Sequence, residues 1–247
     1  MTAAGARAFP DILFAMIMAL IAAAIAFGFA IMLTKEFVAR RRPYTALWAL
    51  ALLFYGVASL VVVIGAAGGW TKLEYEIYWA LGAVLTVPLL AAGEVVLLFR
   101  DRVVLWVTVL LLVFIAAYTV AVLGHAVYDP IALAKRLPSG KDVFGDGTPA
   151  HRLPQIVSIP AYTVLIVGTL WSAWKMRGRP ELRDRFLGTL LIAFGATIVA
   201  VGGSAFAAAG DLFLFALMLS IGVTVMFVGF LRASRQRKPL PAPVQTS

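Results

Sequence analysis

A chain of 247 residues that is 62% hydrophobic and 13% charged, with a mean hydropathy of +0.96, lies outside the soluble globular range, where roughly a quarter of residues are charged. The net charge of +9 would point to nucleic acid in a soluble domain, but here the Lys and Arg fall in short segments between apolar runs, where they report membrane topology. The absence of cysteine excludes disulfides, thiolate metal sites, iron–sulfur clusters and a cysteine nucleophile.

The apolar runs predict an all-α, polytopic membrane protein with seven transmembrane helices, since about 20 apolar residues at about 1.5 Å each cross a hydrocarbon core of about 30 Å. The first run, residues 12–33, follows Pro10-Asp11 and precedes Lys35 and Arg40-Arg41-Arg42. A secretory signal peptide carries its positive charge in front, so this run is expected to be a retained helix, with Asp11 as its N-cap. The second run, 45–67, ends in the turn signal Gly68-Gly69-Trp70. The third, 77–99, lies between Glu74-Tyr75-Glu76 and Arg100-Asp101-Arg102 and contains Pro88 and Glu94. The fourth, 103–123, is followed by a segment, 124–154, so dense in Pro and Gly that it is expected to be an external loop. Runs at 155–174, 186–209 and 212–231 complete seven, and residues 232–247 form a basic, Pro-rich tail expected to be cytoplasmic and disordered.

Orientation follows from the cations. One side collects Lys35, Arg40 to Arg42, Arg100, Arg102, Lys175, Arg177, Arg179, Arg183, Arg185 and the C-terminal cluster, whereas the other holds Arg7, Lys72, Lys135, Arg136, Lys141 and Arg152. The positive-inside rule then puts the N-terminus outside and the C-terminus inside, in a bacterial cytoplasmic membrane. An internal echo pairs Arg41 to Pro43, which leads into Leu52 to Gly56, with Arg177 to Pro180, which leads into Leu190 to Gly195. With an odd number of spans, such an echo fits a parallel repeat of three helices, one linker helix and three more.

Glu94 is the one acid deep inside an apolar run, and ionisable groups at that depth are costly enough to be functional candidates. It lies six residues before Arg100, about 9 Å along a helix and so in the inner half of the membrane. Pro88 removes a backbone donor and opens a carbonyl to a polar partner. Ser158, Pro160, Tyr162 and Thr163 make the start of the fifth helix the most polar and broken of the entries, and freed carbonyls there can serve an ion or ligand only under cover of protein or water. These six residues are the candidates for ligand or proton coupling, against the plainer reading of a packing acid bonded to a neighbouring Ser or Thr and a distorted helix start. His125 and His151 are weak metal candidates, both in the loop, where solvated polar side chains are the alternative; a catalytic zinc site needs about three protein ligands. In the sixth helix, Gly195, Gly202 and Gly203 with Ala207 to Ala209 predict close packing, with the alanines of the first helix as a matching surface. Tryptophans near the span ends, Trp48, Trp70, Trp79, Trp106, Trp171 and Trp174, are expected to be interfacial anchors.

Several seven-helix families are set aside on particular residues. The last helix has no lysine, so the covalent retinal of microbial rhodopsins is not expected. Two external histidines do not reproduce the three inner histidines of ceramidase-type zinc hydrolases, and Pro154-Gln155 precedes its helix and has no counterpart in the first half, unlike the Pro-Gln-loop sugar transporters. Arg41 to Ala49, Gly65 to Trp70, Tyr78 to Ala83 and Val225 to Leu231 resemble segments of uncharacterised bacterial seven-helix integral membrane proteins. Span count and polarity are similar to the seven-helix sensor domains that precede histidine kinases. That resemblance implies a sensory role exercised through a separate cytoplasmic partner.

Residues 1–231 are thus expected to form one transmembrane domain whose partners are the lipid bilayer, a small apolar or amphipathic ligand, and a membrane or cytoplasmic protein. A receptor-like or accessory protein that binds such a ligand or a partner subunit between its helices fits one buried acid and no catalytic set. A small-solute or ion-coupled transporter using Glu94 is the alternative, and a membrane-embedded metal-dependent hydrolase the third reading.

Overall fold

The computed structural model describes residues 3–234, with side chains from Asp11 onward; the cationic tail beyond Ser234 and the side chain of Arg7 lie outside the described residues. Seven helices are long and apolar enough to cross a membrane: α1 (Ala3–Arg40), α2 (Pro43–Gly68), α3 (Lys72–Phe99), α4 (Arg102–Gly124), α7 (Pro149–Met176), α8 (Pro180–Ala209) and α9 (Leu212–Ser234). Two short helices, α5 (Pro130–Leu133) and α6 (Gly140–Phe144), lie in the loop between α4 and α7. The chain is a polytopic integral membrane protein, and among the described residues it is all-α.

The helices outrun the apolar runs because polar residues continue them past the hydrocarbon. Thr71 caps α3 with a reciprocal capping box, its hydroxyl accepting from Glu74 N while the Glu74 carboxylate accepts from Thr71 N. Asp101 caps α4 by accepting from Val103 N at 2.6 Å, and Thr148 caps α7. Asp11 is not the N-cap the sequence predicts: α1 begins at Ala3, so Asp11 lies within the helix. Likewise α9 runs to Ser234, past the expected boundary at residue 231.

Six of the spans form a closed ring in the order α1, α2, α3, α7, α8, α9 and back to α1. The remaining span, α4, lies outside the ring against α3 and α7, and leaves Val103, Trp106, Leu110, Phe114 and Val120 exposed as a lipid-facing helix would. Small residues set the close contacts. Ala19, Ala22, Ala23 and Ala26 of α1 are fully buried, and the helices packed on α1 are α2 and α9, not α8 as the sequence suggests. The glycines of α8 meet α9 instead: a Cβ on Gly195 would strike Gly222 O at 2.6 Å, and one on Gly229 would strike Gly188 O at 2.7 Å. Gly188, Gly195 and Gly202 recur every seven residues on α8, as do Gly222 and Gly229 on α9, which keeps both stripes on facing sides.

Two spans contain π-helical segments, Tyr78–Leu85 in α3 and Ile198–Gly203 in α8. The first has a local cause. Pro88 has no N–H to give to the carbonyl of Val84, and the widened turn lets Thr86 Oγ1 reach back to Leu81 O at 2.7 Å. At the turns, Arg41 (φ 52) and Arg100 (φ 51) occupy the left-handed region without being glycine, at roughly 1–2 kcal/mol each. The corresponding turn between α7 and α8 places Gly178 (φ 77) there. Arg41-Arg42-Pro43 and Gly178-Arg179-Pro180 otherwise follow the same path, with an extended Arg (φ −90, ψ 112 and φ −105, ψ 103) before a Pro that opens the next helix.

Candidate functional site

One end of the ring is filled. Tyr75, fully buried on α3, stacks near Trp79 (5.8 Å between centroids) and packs edge-on against Trp70 (5.7 Å) and beside Phe144 of α6 (5.6 Å). The loop between α4 and α7 is bonded to these aromatics: Trp70 Nε1 donates to Arg136 O (3.0 Å), Trp79 Nε1 to Ala150 O (3.0 Å) and Tyr75 OH to Pro138 O (3.4 Å). Tyr128 OH donates to Glu76 Oε1 at 2.9 Å while Lys72 Nζ sits 4.9 Å over its ring, and burial together with the Glu76 carboxylate pushes the phenol upward. Trp70 and Trp79 are therefore packing and capping residues, not anchors, and Trp48 donates inward to Leu90 O at 3.1 Å. Trp106, Trp171 and Trp174 are exposed on the outer surface, where an interfacial anchor belongs.

The other end is hollow. A cavity of about 1360 Å³ opens there, larger than the roughly 300–1,000 Å³ of pockets that hold drug-sized molecules. Its inner wall is apolar, with Phe29 and Leu33 of α1, Leu52 of α2, Leu90 of α3, Leu165 of α7, and Met226 and Phe230 of α9. Counting along α2 from Pro43 to Leu52 and along α3 from Arg100 back to Leu90 gives a depth of about 13–15 Å, near half the hydrocarbon thickness. The mouth is basic, lined by Arg40, Arg41, Arg42, Arg100, Arg102, Lys175 and Arg185. These cations share one end because successive spans run up and down, bringing together the turns of α1–α2, α3–α4 and α7–α8.

Glu94 lies in this wall, only 5% exposed, with Oε1 accepting from Ser172 Oγ of α7 at 3.0 Å. Gly168 makes that approach possible, since a Cβ there would meet Glu94 Cγ at 2.7 Å. Thr45, Thr169, Ser172 and Thr189 are hydroxylated side chains that line the cavity with Glu94. The Thr45 and Thr169 hydroxyls are taken by their own helix backbones, at Arg42 O and Leu165 O, so Ser172 and Glu94 form the cross-helix polar contact. Such a wall can hold a hydrocarbon and receive one donor at the carboxyl, and its mouth can neutralise an anion.

The other sequence-predicted residues are not gathered at Glu94. Ser158 serves Pro88: its hydroxyl donates to Ala83 O (2.8 Å) and Val84 O (3.2 Å), the carbonyls at the proline break. Tyr162 OH donates to Thr197 Oγ1 on α8 at 2.8 Å, where the second π-helical segment begins, whereas Thr163 turns outward and bonds Ile159 O. Pro160 is carried inside the continuous helix α7. His125 Nδ1 lies 2.8 Å from Ala121 O and is exposed, while His151 Nδ1 is approached by Gly147 N and lies 3.6 Å from Asp146 Oδ1. The described residues contain no group of three or more His, Asp and Glu placed to hold a metal ion.

Sequence reasoning misses Ser172, Gly168 and the selection of cations that reach the cavity. The spacing of Gly168 and Ser172, one helical turn apart, is the signal that places both on one face of α7. No family model, no curated protein and no solved structure matches the chain.

Proposed function

We propose that this protein is a receptor-like or accessory membrane protein that holds an amphipathic molecule in the cavity, with the N-terminus outside and the cavity opening to the cytoplasm. One observation carries the reading: an apolar chamber containing a buried carboxyl opens through a mouth lined by seven cations. Apolar walls bind hydrocarbon by burial, and the few polar groups fix orientation. The cationic end is the cytoplasmic one by the positive-inside rule, which fits a protein that presents its bound state to a cytoplasmic partner.

A second reading, an ion-coupled carrier of small solutes, has its own support. The ring divides into α1–α3 and α7–α9 with α4 outside, and the first turn of each half has the same extended-Arg-Pro path, as a parallel repeat would give. In that reading the aromatic end is the closed gate and Glu94 the coupling site.

Native mass spectrometry of protein extracted in mild detergent tests the first reading. A discrete amphipathic mass is expected to accompany the wild type and to be lost in Leu52→Trp, which fills the chamber. A wild type that remains bare when extracted directly from its membrane into nanodiscs would overturn it. Proton-dependent solute uptake into proteoliposomes, abolished by Glu94→Gln, would select the carrier.

A further inference from the structure

The basic mouth contains more positive charge than its own acids use. Glu36 lies 3.9 Å from Arg40 and 3.8 Å from Arg42, and Lys175 stacks over the Trp171 ring at 5.1 Å. Among the described residues, Arg41, Arg100, Arg102 and Arg185 are in no ion pair, although all line the cavity. Topology alone would leave cations anywhere at this end, and Lys35, Arg177, Arg179 and Arg183 are indeed there without lining the cavity. What separates Arg41 and Arg100 from them is backbone. Both adopt the left-handed conformation that favours glycine, and at the α7–α8 turn, where the corresponding residue does not itself line the cavity, glycine is what the chain uses. An arginine standing where glycine would fit with less strain points to a use for its side chain.

We propose that Arg41 and Arg100 form the headgroup clamp of the cavity, binding the phosphate of an amphipathic ligand whose hydrocarbon lies along Leu52, Leu90 and Phe230. Guanidinium groups suit phosphate because their planar fork donates in pairs. The two turns place Arg41 and Arg100 on the α1–α2 and α3–α4 sides of one opening, so a phosphate entering between them meets a cation from each side without any loop being ordered. This assignment rests on the amphipathic-ligand reading of the cavity and adds the anion and its two holders.

The experiment uses the full chain in phosphatidylcholine nanodiscs, with dodecyl phosphate, dodecanol and inorganic phosphate as probes, read by thermal shift and native mass spectrometry. Wild type is expected to bind dodecyl phosphate at least about tenfold more tightly than either other probe, the gain expected of a charge-assisted contact. Arg41→Gly and Arg100→Gly are each expected to lower that affinity about tenfold or more while the unfolding temperature holds or rises, because glycine relieves the turn. Arg177→Gln, at the same end but off the cavity, is expected to leave it unchanged, which separates the clamp from general surface charge.

Equal binding of dodecanol and dodecyl phosphate, or glycine variants that bind as wild type does, would overturn the clamp. If that binding is still lost in Leu52→Trp, the amphipathic cavity survives the failure. Inorganic phosphate bound as tightly as dodecyl phosphate, and lost in both glycine variants, keeps the two arginines as holders but makes the source a soluble phosphate. That result would overturn the hydrocarbon part and, with it, the amphipathic reading.

Discussion

The two ends of the same helix ring meet the membrane boundary in opposite ways. At the α2–α3 end, aromatic rings fill the bundle axis, and Trp70, Tyr75, Trp79 and Tyr128 donate to backbone carbonyls between Leu123 and Ala150 or to the Glu76 carboxylate. At the arginine end the axis opens into a cavity whose inner wall is mostly apolar, with Glu94 and a few hydroxyls in that wall and the cations at the mouth. Interiors otherwise pack near crystal density, and at this end that packing gives way to an opening that solvent or a ligand can enter.

The largest expected effect comes from breaking the filled end. Tyr75→Ala removes a fully buried ring at the centre of the aromatic cluster and is expected to cost about 3–5 kcal/mol. Thermal unfolding, together with faster proteolysis within 125–149, would register it, and an unchanged cleavage rate would show that the loop holds without the cluster. Next comes Ser158→Ala, which strips the donor from Ala83 O and Val84 O and is expected to cost about 1–3 kcal/mol while leaving ligand affinity at the other end alone. A matching fall in affinity would mean that the two ends are coupled through the proline break in α3.

At the hollow end, Gly168→Ala drives a methyl into Glu94 and is expected to displace the carboxyl from Ser172. It should weaken binding several-fold with little change in unfolding temperature. Glu94→Gln keeps the shape and an oxygen for Ser172, so the fold is expected to stand while the share of any pH dependence of binding or transport that Glu94 supplies disappears. An unchanged affinity and pH profile would leave Glu94 a packing residue. The smallest effect concerns the loop. A hydrogen bond from Lys135 holds Asp142, and one from Lys141 holds Asp146, below the usual carboxylate range. Groups so depressed stabilise the fold above their unfolded value of about 3.9 and lose that contribution as pH falls through their folded values. Both are solvent-screened, so proteolysis of the loop is expected to rise modestly below about pH 4 and not between pH 5 and pH 8.

The sequence contains more of the first end's location than of its construction. Pro and Gly density marks 124–154 as a loop, but that loop is bonded to Tyr75 and to Trp70 and Trp79, and the two tryptophans read as interfacial anchors until their carbonyl partners are known. Glu94 is legible because an acid in an apolar run is anomalous in any arrangement. Ser172 and Gly168 are not, since small and hydroxylated residues in transmembrane helices mostly serve packing or bond their own backbone, as Thr163 and Thr169 do. The alanine and glycine stripes are likewise visible as packing surfaces, yet composition does not show how they pair: α8 meets α9, and α1 meets α2 and α9.

By itself the sequence determined what depends on local composition. Apolar length against bilayer thickness sets seven spans, and the distribution of Lys and Arg gathers the cations at one set of turns, because each residue answers to the solvent around it. Tertiary structure alone decided which helices adjoin, that six of them close a ring and leave α4 outside, and that one end of that ring is filled while the other is hollow. In lipid, the apolar surface of one helix is no more attracted to another helix than to acyl chains, so hydrophobicity cannot choose neighbours. Close approach of small residues and individual hydrogen bonds choose them, and those exist only between helices already placed.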